Sequence, residues 1–306
     1  MIKKILLVGS SGFIGTAIKQ LLLTNGHKVI CCDIDDTNSV KDYFAFKDYT
    51  NFLLNISKHR FDFVINAGGN GNVQNSIFNP KFDFESNVVL VHSILEAIRQ
   101  TQKGCRLVHF SSAAVYGEPE TSPILESNLL KPISPYGFNK MTSELICKQY
   151  SNLYNINCII LRPFSVYGPG LKKQLFWDVL SKFKNSPQNA PIEFFGTGSE
   201  TRDFIFIDDL CQIINLILNN PQLLNNYEII NAANGIEIEI NAVIQIISGY
   251  FPGISYTFSG KKRLGDPDNW RADISKLNLL GYKPKVLIEE GVAHYYKWFN
   301  GLTSEK

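Results

Sequence analysis

A short apolar strand that runs straight into a glycine-spaced turn and then a helix constrains this chain more than any other feature. Lys4-Ile5-Leu6-Leu7-Val8 leads into Gly9-Ser10-Ser11-Gly12-Phe13-Ile14-Gly15, a GxxGxxG spacing. Glycine permits the tight turn and lets backbone approach a pyrophosphate. The N-terminus of the following helix offers unpaired N–H groups and the positive end of its dipole. The spacing by itself is modest evidence; its place between a strand and a helix gives it meaning. The opening residues superficially resemble a secretion signal. The apolar run is too short for one, however, and ends in glycine rather than a small-residue cleavage site. We read it as a buried first strand.

The same alternation continues along the chain. Strands are expected at Lys4–Val8, Lys28–Asp33, Phe61–Asn66, Leu107–Ser111 and Cys158–Leu161, with helices at Ile14–Thr24, Phe84–Gln100 and Tyr136–Tyr154. Near-continuous apolar strands separated by helices predict an α/β fold whose parallel sheet is covered on both faces. Right-handed crossovers make it doubly wound, a Rossmann sheet. A chain of 306 residues accommodates such a domain plus a smaller mixed α/β lobe. We expect a dinucleotide-binding domain over residues 1–168 and a substrate-binding lobe over 169–306. Phe204–Ile207 and Tyr227–Asn231, in the stretch 204–232, read as strands returning to the main sheet. Leu175–Lys184 and Asn241–Tyr250 read as helices of the lobe.

Charge and composition remove several classes of function. Thirty basic against 28 acidic side chains, a net charge of +2, leave no electrostatic footprint for nucleic acid or anionic membrane. No segment approaches the roughly 18 uncharged apolar residues of a membrane span. The six cysteines (Cys31, Cys32, Cys105, Cys147, Cys158, Cys211) form no CxxC pair and sit in apolar runs, as reduced core thiols of a cytoplasmic protein do. The histidines show no metal-ligand spacing, so no metal is expected.

Asp33 closes the second strand, where a carboxylate accepts hydrogen bonds from a ribose and repels the additional phosphate of NADP. Asp35 competes for that role. Tyr136-Gly137-Phe138-Asn139-Lys140 is a YxxxK sequence, which on a helix brings both side chains to one face. An ammonium beside a phenol favours the phenolate, which suits a general acid–base. Such a spacing is common, and Tyr43–Lys47 repeats it in an extended segment that we read as structural. The context of Tyr136 distinguishes it. Ser111 and Ser112 stand at the carboxyl end of a strand, where doubly wound sheets gather their reactive groups. Pro132 and Pro135 set the start of the Tyr136 helix.

With these pieces in order, the chain resembles the NAD-dependent epimerase/dehydratase family, the extended short-chain dehydrogenases that act on nucleotide sugars. Further matching segments are Asn66-Ala67-Gly68, Asn87, Ser111–Gly117, Leu161–Gly170, Gly196–Gly198, Arg202-Asp203-Phe204-Ile205, Arg263–Pro267 and Ala272–Lys276. The resemblance implies that Ser112, Tyr136 and Lys140 are catalytic, with Tyr136 the acid–base and Lys140 also on the nicotinamide ribose. It implies that Gly9, Gly12, Phe13, Ile14, Gly15, Asp33, Asp48, Ala67, Gly68 and Pro163 hold NAD. Substrate contacts would come from Ser111, Ser112, Tyr136, Ser165, Arg202 and Arg263, the two arginines on the diphosphate. Ala113 and Ala114 stand where sugar 4,6-dehydratases of the family carry an Asp-Glu pair, and alanine supplies neither acid nor base. A 4-epimerase of a nucleotide-diphosphate hexose is therefore expected, with a 4-ketoreductase using NAD(P)H as the alternative. A catalytically silent scaffold is a remote third reading. Ser165, Phe206 and Asn66 depart from the family's usual residues and leave the sugar open. Similar proteins pair the two long helices into a homodimer, and Val88, Val89, Val91, Ile94, Leu95 and Ile98 give the first of these helices a broad apolar surface.

Overall fold

The fold is that of a computed structural model, which describes residues 1–34, 42–185, 191–261 and 268–304. The chain divides into two compact units. The first comprises residues 1–117, 126–163 and 214–231; the second comprises 118–125, 164–213 and 232–306. The chain passes between the two units several times.

The first unit is built on seven strands: β1 (Lys4–Val8), β2 (Lys28–Asp33), β3 (Tyr43–Ala45), β4 (Phe63–Asn66), β5 (Arg106–Phe110), β6 (Asn157–Pro163) and β7 (Tyr227–Ala232). Their order is β7-β6-β5-β4-β1-β2-β3. The β1–β2, β2–β3, β1–β4, β4–β5 and β5–β6 pairs are all parallel. The order reverses between β1 and β4, and such a switch point opens a crevice at the carboxyl ends of the strands. Ile5, Leu6 and Leu7 of β1 and Val64 and Ile65 of β4 are fully buried, as two-sided cover requires. Tyr43 lies on edge strand β3 and Lys47 just past its end, so the second YxxxK sequence is not on a helix.

Three helices matter for the site. The first, α1 (Phe13–Thr24), follows the glycine turn. A helical run then passes through Pro80–Phe84, a π turn at Glu85–Val89, and α2 (Leu90–Thr101). The sequence suggested one regular helix here. The π turn shifts the register, and Asn87 and Val88 within it are buried. Helix α3 (Pro135–Tyr154) starts where its sequence directs. Ser134 caps it by accepting from the N–H of Gly137 at 3.1 Å, and Pro135 occupies the first turn. Asn155 ends it in the left-handed region at φ 55°.

In the second unit, Thr201–Phe206 pairs with Ser165–Tyr167 and Glu237–Glu239 in a three-stranded sheet. This corrects the expectation that Phe204–Ile207 returns to the main sheet; only the strand at Tyr227–Ala232 does so. Periodicity could not separate the two, because a short, wholly apolar run fits any buried sheet. Helices form at Gln174–Asn185 and Ile240–Ser248 as expected. Around them gathers an aromatic core in which Tyr167 stacks on Phe176 at 4.3 Å.

A buried ion pair ties three elements of the first unit together. Arg162 on β6 donates from Nε to Glu144 Oε1 at 2.9 Å and from Nη2 to Oε2 at 2.6 Å. Its Nη1 donates to the phenol of Tyr116 at 2.8 Å, and that phenol donates to Asn231 at 2.7 Å. Removing one partner would strand the other in a dry interior. Arg162→Met is expected to cost about 3–5 kcal/mol in urea unfolding, and Arg162→Met with Glu144→Leu is expected to recover part of the loss. A single variant as stable as the unmodified protein would contradict this account.

Candidate active site

At the end of β1, Gly9 turns with φ at 79°. A Cβ there would lie 2.4 Å from the Gly68 nitrogen and 2.6 Å from the Ala67 carbonyl carbon. A Cβ on Gly15 would lie 1.9 Å from the Gly9 oxygen, whereas one on Gly12 would meet nothing closer than 3.5 Å. Gly9 and Gly15 are thus required by backbone contact. Gly12 instead occupies the cap position of α1, where it offers no side chain to the helix N-terminus. Phe13 and Ile14 open that helix, half-buried.

Asp33 ends β2 beside this turn. One of its oxygens accepts from the Ser11 N–H at 2.7 Å and the other from the Ile34 N–H at 2.8 Å. It therefore pins the glycine turn, a structural task the sequence did not suggest. Asp35 lies outside the described residues. Asp48 caps the helix Tyr49–Ser57 by accepting from the Asn51 N–H at 2.7 Å. Pro163 is buried at the end of β6.

The reactive constellation gathers at the carboxyl end of β5. Ser112 is followed by a tight turn at Ala113–Val115, and its Oγ accepts from the Ala114 N–H at 3.1 Å. Tyr136 lies on α3 in the first turn, its own N–H donating to Ser76 Oγ at 3.1 Å. One turn later, Lys140 Nζ donates to the Phe110 carbonyl at 2.9 Å and lies 5.8 Å from the Tyr136 ring centroid. Both side chains are buried. Burial pushes the Tyr136 phenol up to about 12; a hydrogen bond with Ser112 opposes this and the charge of Asp83 adds to it. Burial also pushes the Lys140 ammonium down to about 8, against the charges of Asp83, Glu144 and Cys147. The lowered phenol pKa expected from Lys140 alone is therefore not met in the protein by itself, because desolvation outweighs it.

Several residues around this pair were not evident from the sequence. Asp83 is fully buried and accepts from three carboxamides: Asn70 at 2.7 Å, Asn87 at 3.0 Å and Asn139 at 2.7 Å. The intervening residue of the YxxxK sequence thus fixes a carboxylate near the pair. Asn87 Oδ1 is buried without a hydrogen-bond partner, an acceptor that a bound ligand's donor would satisfy. The uncapped start of α1, the glycine-spaced turn and this orphan acceptor all fit a dinucleotide. Ser111, expected on the substrate, instead donates its hydroxyl to Glu144 at 2.5 Å and is buried. Its partner is a carboxylate within the sheet-helix interior, so this side chain faces inward.

The second unit carries the remaining predicted contacts. Ser165 is half-buried and pairs in register with Phe204. Arg202 Nη1 donates to the carbonyls of Thr201 at 2.8 Å and Asp268 at 3.2 Å, and its guanidinium lies over Trp270. Arg263 lies outside the described residues.

Comparison with known proteins gives the same picture. The model of the NAD dependent epimerase/dehydratase family matches residues 5–233. A UDP-glucuronate 4-epimerase of Thermodesulfobacterium geofontis is 30% identical, covering 96% of this chain and 95% of its own. A UDP-glucose 4-epimerase of Mycolicibacterium smegmatis is 29% identical, covering 96% of this chain and 97% of its own. Among solved structures, a UDP-glucuronic acid 4-epimerase of Bacillus cereus, in complex with UDP-glucuronic acid and NAD, superposes with a TM-score of 0.85. It is 27% identical and covers 98% of this chain and 99% of its own.

Two outcomes test this site without substrate. Gly15→Val, with its Cβ forced against the Gly9 carbonyl, is expected to lower the unfolding midpoint and to abolish dinucleotide binding by calorimetry. Lys140→Met is expected to stabilise the ligand-free protein at pH 7, by on the order of 1–3 kcal/mol. The sign follows from proton uptake. The folded lysine titrates near 8 and the unfolded one near 10.5, so the cost of charge burial is full below pH 8. The gain should shrink as pH rises from 8 toward 10.5, and urea melts at the two ends of this window measure it.

Proposed function

Because the chain belongs to the NAD dependent epimerase/dehydratase family, we propose that it inverts C4 of a nucleotide-diphosphate hexose as an NAD-dependent 4-epimerase. The observation that carries this reading is the buried Tyr136 and Lys140 pair with the half-buried Ser112, beside a turn built from Ala113 and Ala114. That group can move one proton reversibly. The turn brings no acid or base that elimination of water would require. When bound, NAD supplies reversible hydride acceptance at the sugar carbon and a positively charged ring. Tyr136 takes the C4 hydroxyl proton and gives it back after the keto sugar has presented its other face. Ser112 holds the reacting oxygen by its hydroxyl. Lys140 orients the nicotinamide ribose and, with the added positive charge nearby, brings the buried phenol toward ionisation.

Asp33 at the end of β2 supports NAD over NADP. Arg202 and Arg263 are assigned the substrate's diphosphate on the family resemblance. We further propose a homodimer. Phe82, Val89, Phe138 and Leu145, on the helical runs 80–101 and 135–154, are each between 45% and 59% exposed and supply apolar surface for such a pairing. Six buried free thiols support a reducing cytoplasmic setting. No helix among the described residues is long and apolar enough to cross a membrane.

The test is incubation with NAD and, separately, UDP-glucose, UDP-N-acetylglucosamine and UDP-glucuronate, followed by proton NMR. Inversion at C4 without net cofactor reduction is expected for one of them, and Tyr136→Phe should lower kcat by about 10²–10⁴. Stoichiometric loss of reduced cofactor on a 4-keto-6-deoxy sugar, with no inversion of any hexose, would replace this reading with a ketoreductase.

A further inference from the structure

Beneath the catalytic pair runs a line of fully buried polar groups that the proton and hydride chemistry does not use. The Gly68 N–H, at the exit of β4 against Gly9, donates to Asn66 Oδ1 at 3.1 Å. Asn66 Nδ2 meets His109 Nδ1 at 3.2 Å, and His109 Nε2 meets Ser143 Oγ at 2.9 Å. Ser143 Oγ then donates to the Lys140 carbonyl at 2.7 Å. Asn66, His109 and Ser143 are each 0% exposed.

The direction of every bond follows from its ends. A backbone N–H only donates, so the Asn66 oxygen faces Gly68 and its amide nitrogen faces the imidazole. That nitrogen only donates, so His109 Nδ1 must be the acceptor. The ring proton then sits on Nε2 and is given to Ser143, whose own proton goes to the Lys140 carbonyl, which only accepts. A protonated imidazole would set two donors against each other at Nδ1. Consistently, burial first and the Lys140 charge second hold the His109 pKa well below its usual value. The next residue of β5, Phe110, receives the Lys140 ammonium on its carbonyl. Lys140 is therefore held at both ends by consecutive residues of one strand: at the head through Phe110 and at the backbone through His109 and Ser143.

Resting on the 4-epimerase reading, we propose that Asn66, His109 and Ser143 are positioning residues for the acid–base pair. Their one-directional hydrogen-bond line fixes the Lys140 turn of α3, and with it Tyr136, against the cofactor turn at Gly9 and Gly68. The line needs the neutral Nε2–H tautomer of His109, because the other tautomer reverses it and releases the Lys140 carbonyl. The comparable case in a serine protease triad, where an imidazole held in the wrong tautomer loses activity with geometry intact, shows how much such a detail can matter.

Two measurements test this. Nitrogen-15 NMR of the histidine-labelled protein, with the His109 signals assigned by their loss in His109→Gln, should show protonation at Nε2 alone, unchanged from pH 6 to 9. Protonation at Nδ1, or titration inside this range, overturns the proposal whatever the enzyme's activity. Second, Ser143→Ala removes a single buried oxygen. Relative to the unmodified enzyme, its kcat at pH 7 should fall about tenfold, the rising limb of kcat against pH should move up by about one unit, and KM for the sugar nucleotide should stay within about twofold. A folded Ser143→Ala protein with unchanged NAD stoichiometry and a superimposable kcat profile overturns it. Should Ser143→Ala not fold, the tautomer measurement decides alone. If the unmodified protein inverts no nucleotide hexose, the functional reading fails and the tautomer measurement still decides the buried line.

Discussion

Backbone pressed against backbone at the switch point of the sheet is the constraint on which the rest of this structure depends. Gly9 lies against Gly68, and Gly15 against Gly9, with no space for an added carbon at Gly9 or Gly15, so the exits of β1 and β4 and the start of α1 converge on one small region. A Cβ at Gly9 would press on Ala67 and Gly68 at the exit of β4, the hydrogen-bonded neighbour of β1, and one at Gly15 would press α1 off the turn at Gly9 and Ser10. The same closeness serves ligand binding, because peptide N–H groups can approach a pyrophosphate only where side chains do not intervene. Asp33 reinforces it by holding Ser11 of the turn to the end of β2. Sheet topology and turn chemistry thus meet in one steric fact.

Around that point the interior holds several polar side chains, and most of them are tied to one another by hydrogen bonds, the Asn87 Oδ1 being an exception. Glu144 takes both arms of Arg162 and the hydroxyl of Ser111; Asp83 takes three carboxamides; the imidazole of His109 is filled at both nitrogens. Such networks contribute less net stability than apolar packing would, but a half-satisfied version is costly, so alternative placements of these side chains are disfavoured. β5 and α3 are consequently held by directional bonds as well as by packing. Positioning of this kind is what chemistry on a proton requires, since a displacement of a fraction of an ångström changes whether a phenol can reach the reacting oxygen.

Much of the first unit was legible because its signals are local. An apolar run followed by spaced glycines, a serine and a proline before Tyr136, and an aspartate ending a strand each follow from chemistry within a few residues. The strand at Thr201–Phe206 was misplaced because its apolar residues fit any buried sheet, and partner choice is a long-range matter. The π turn at Asn87 and the inward commitment of Ser111 escaped for a related reason. One depends on a single inserted residue in a helix, the other on Glu144, thirty-three positions away in the chain. His109 shows the limit most clearly. In the sequence it is a lone histidine in an apolar strand, and only its two partners, from β4 and α3, give it a task.

The placement of charge around Lys140 explains how a lysine can be buried here and still respond to a ligand. Two carboxylates, Asp83 and Glu144, act on it electrostatically, yet each is hydrogen-bonded to other groups. Had either bonded the ammonium directly, the lysine would be locked as a permanent cation and its charge spent on that partner. Instead it donates to the neutral Phe110 carbonyl, and burial holds its pKa down to about 8 while holding the Tyr136 phenol up to about 12. Both shifts disfavour the charged forms: at pH 7 the phenol is neutral, while the lysine, still mostly protonated, carries a charge that burial weakens. An arriving positive charge shifts the phenol toward ionisation without having to break an ion pair first. On the proposed reading, proton abstraction is coupled to cofactor occupancy by the way these charges are insulated, with the neutral amides around Asp83 and the arginine on Glu144 as the insulation.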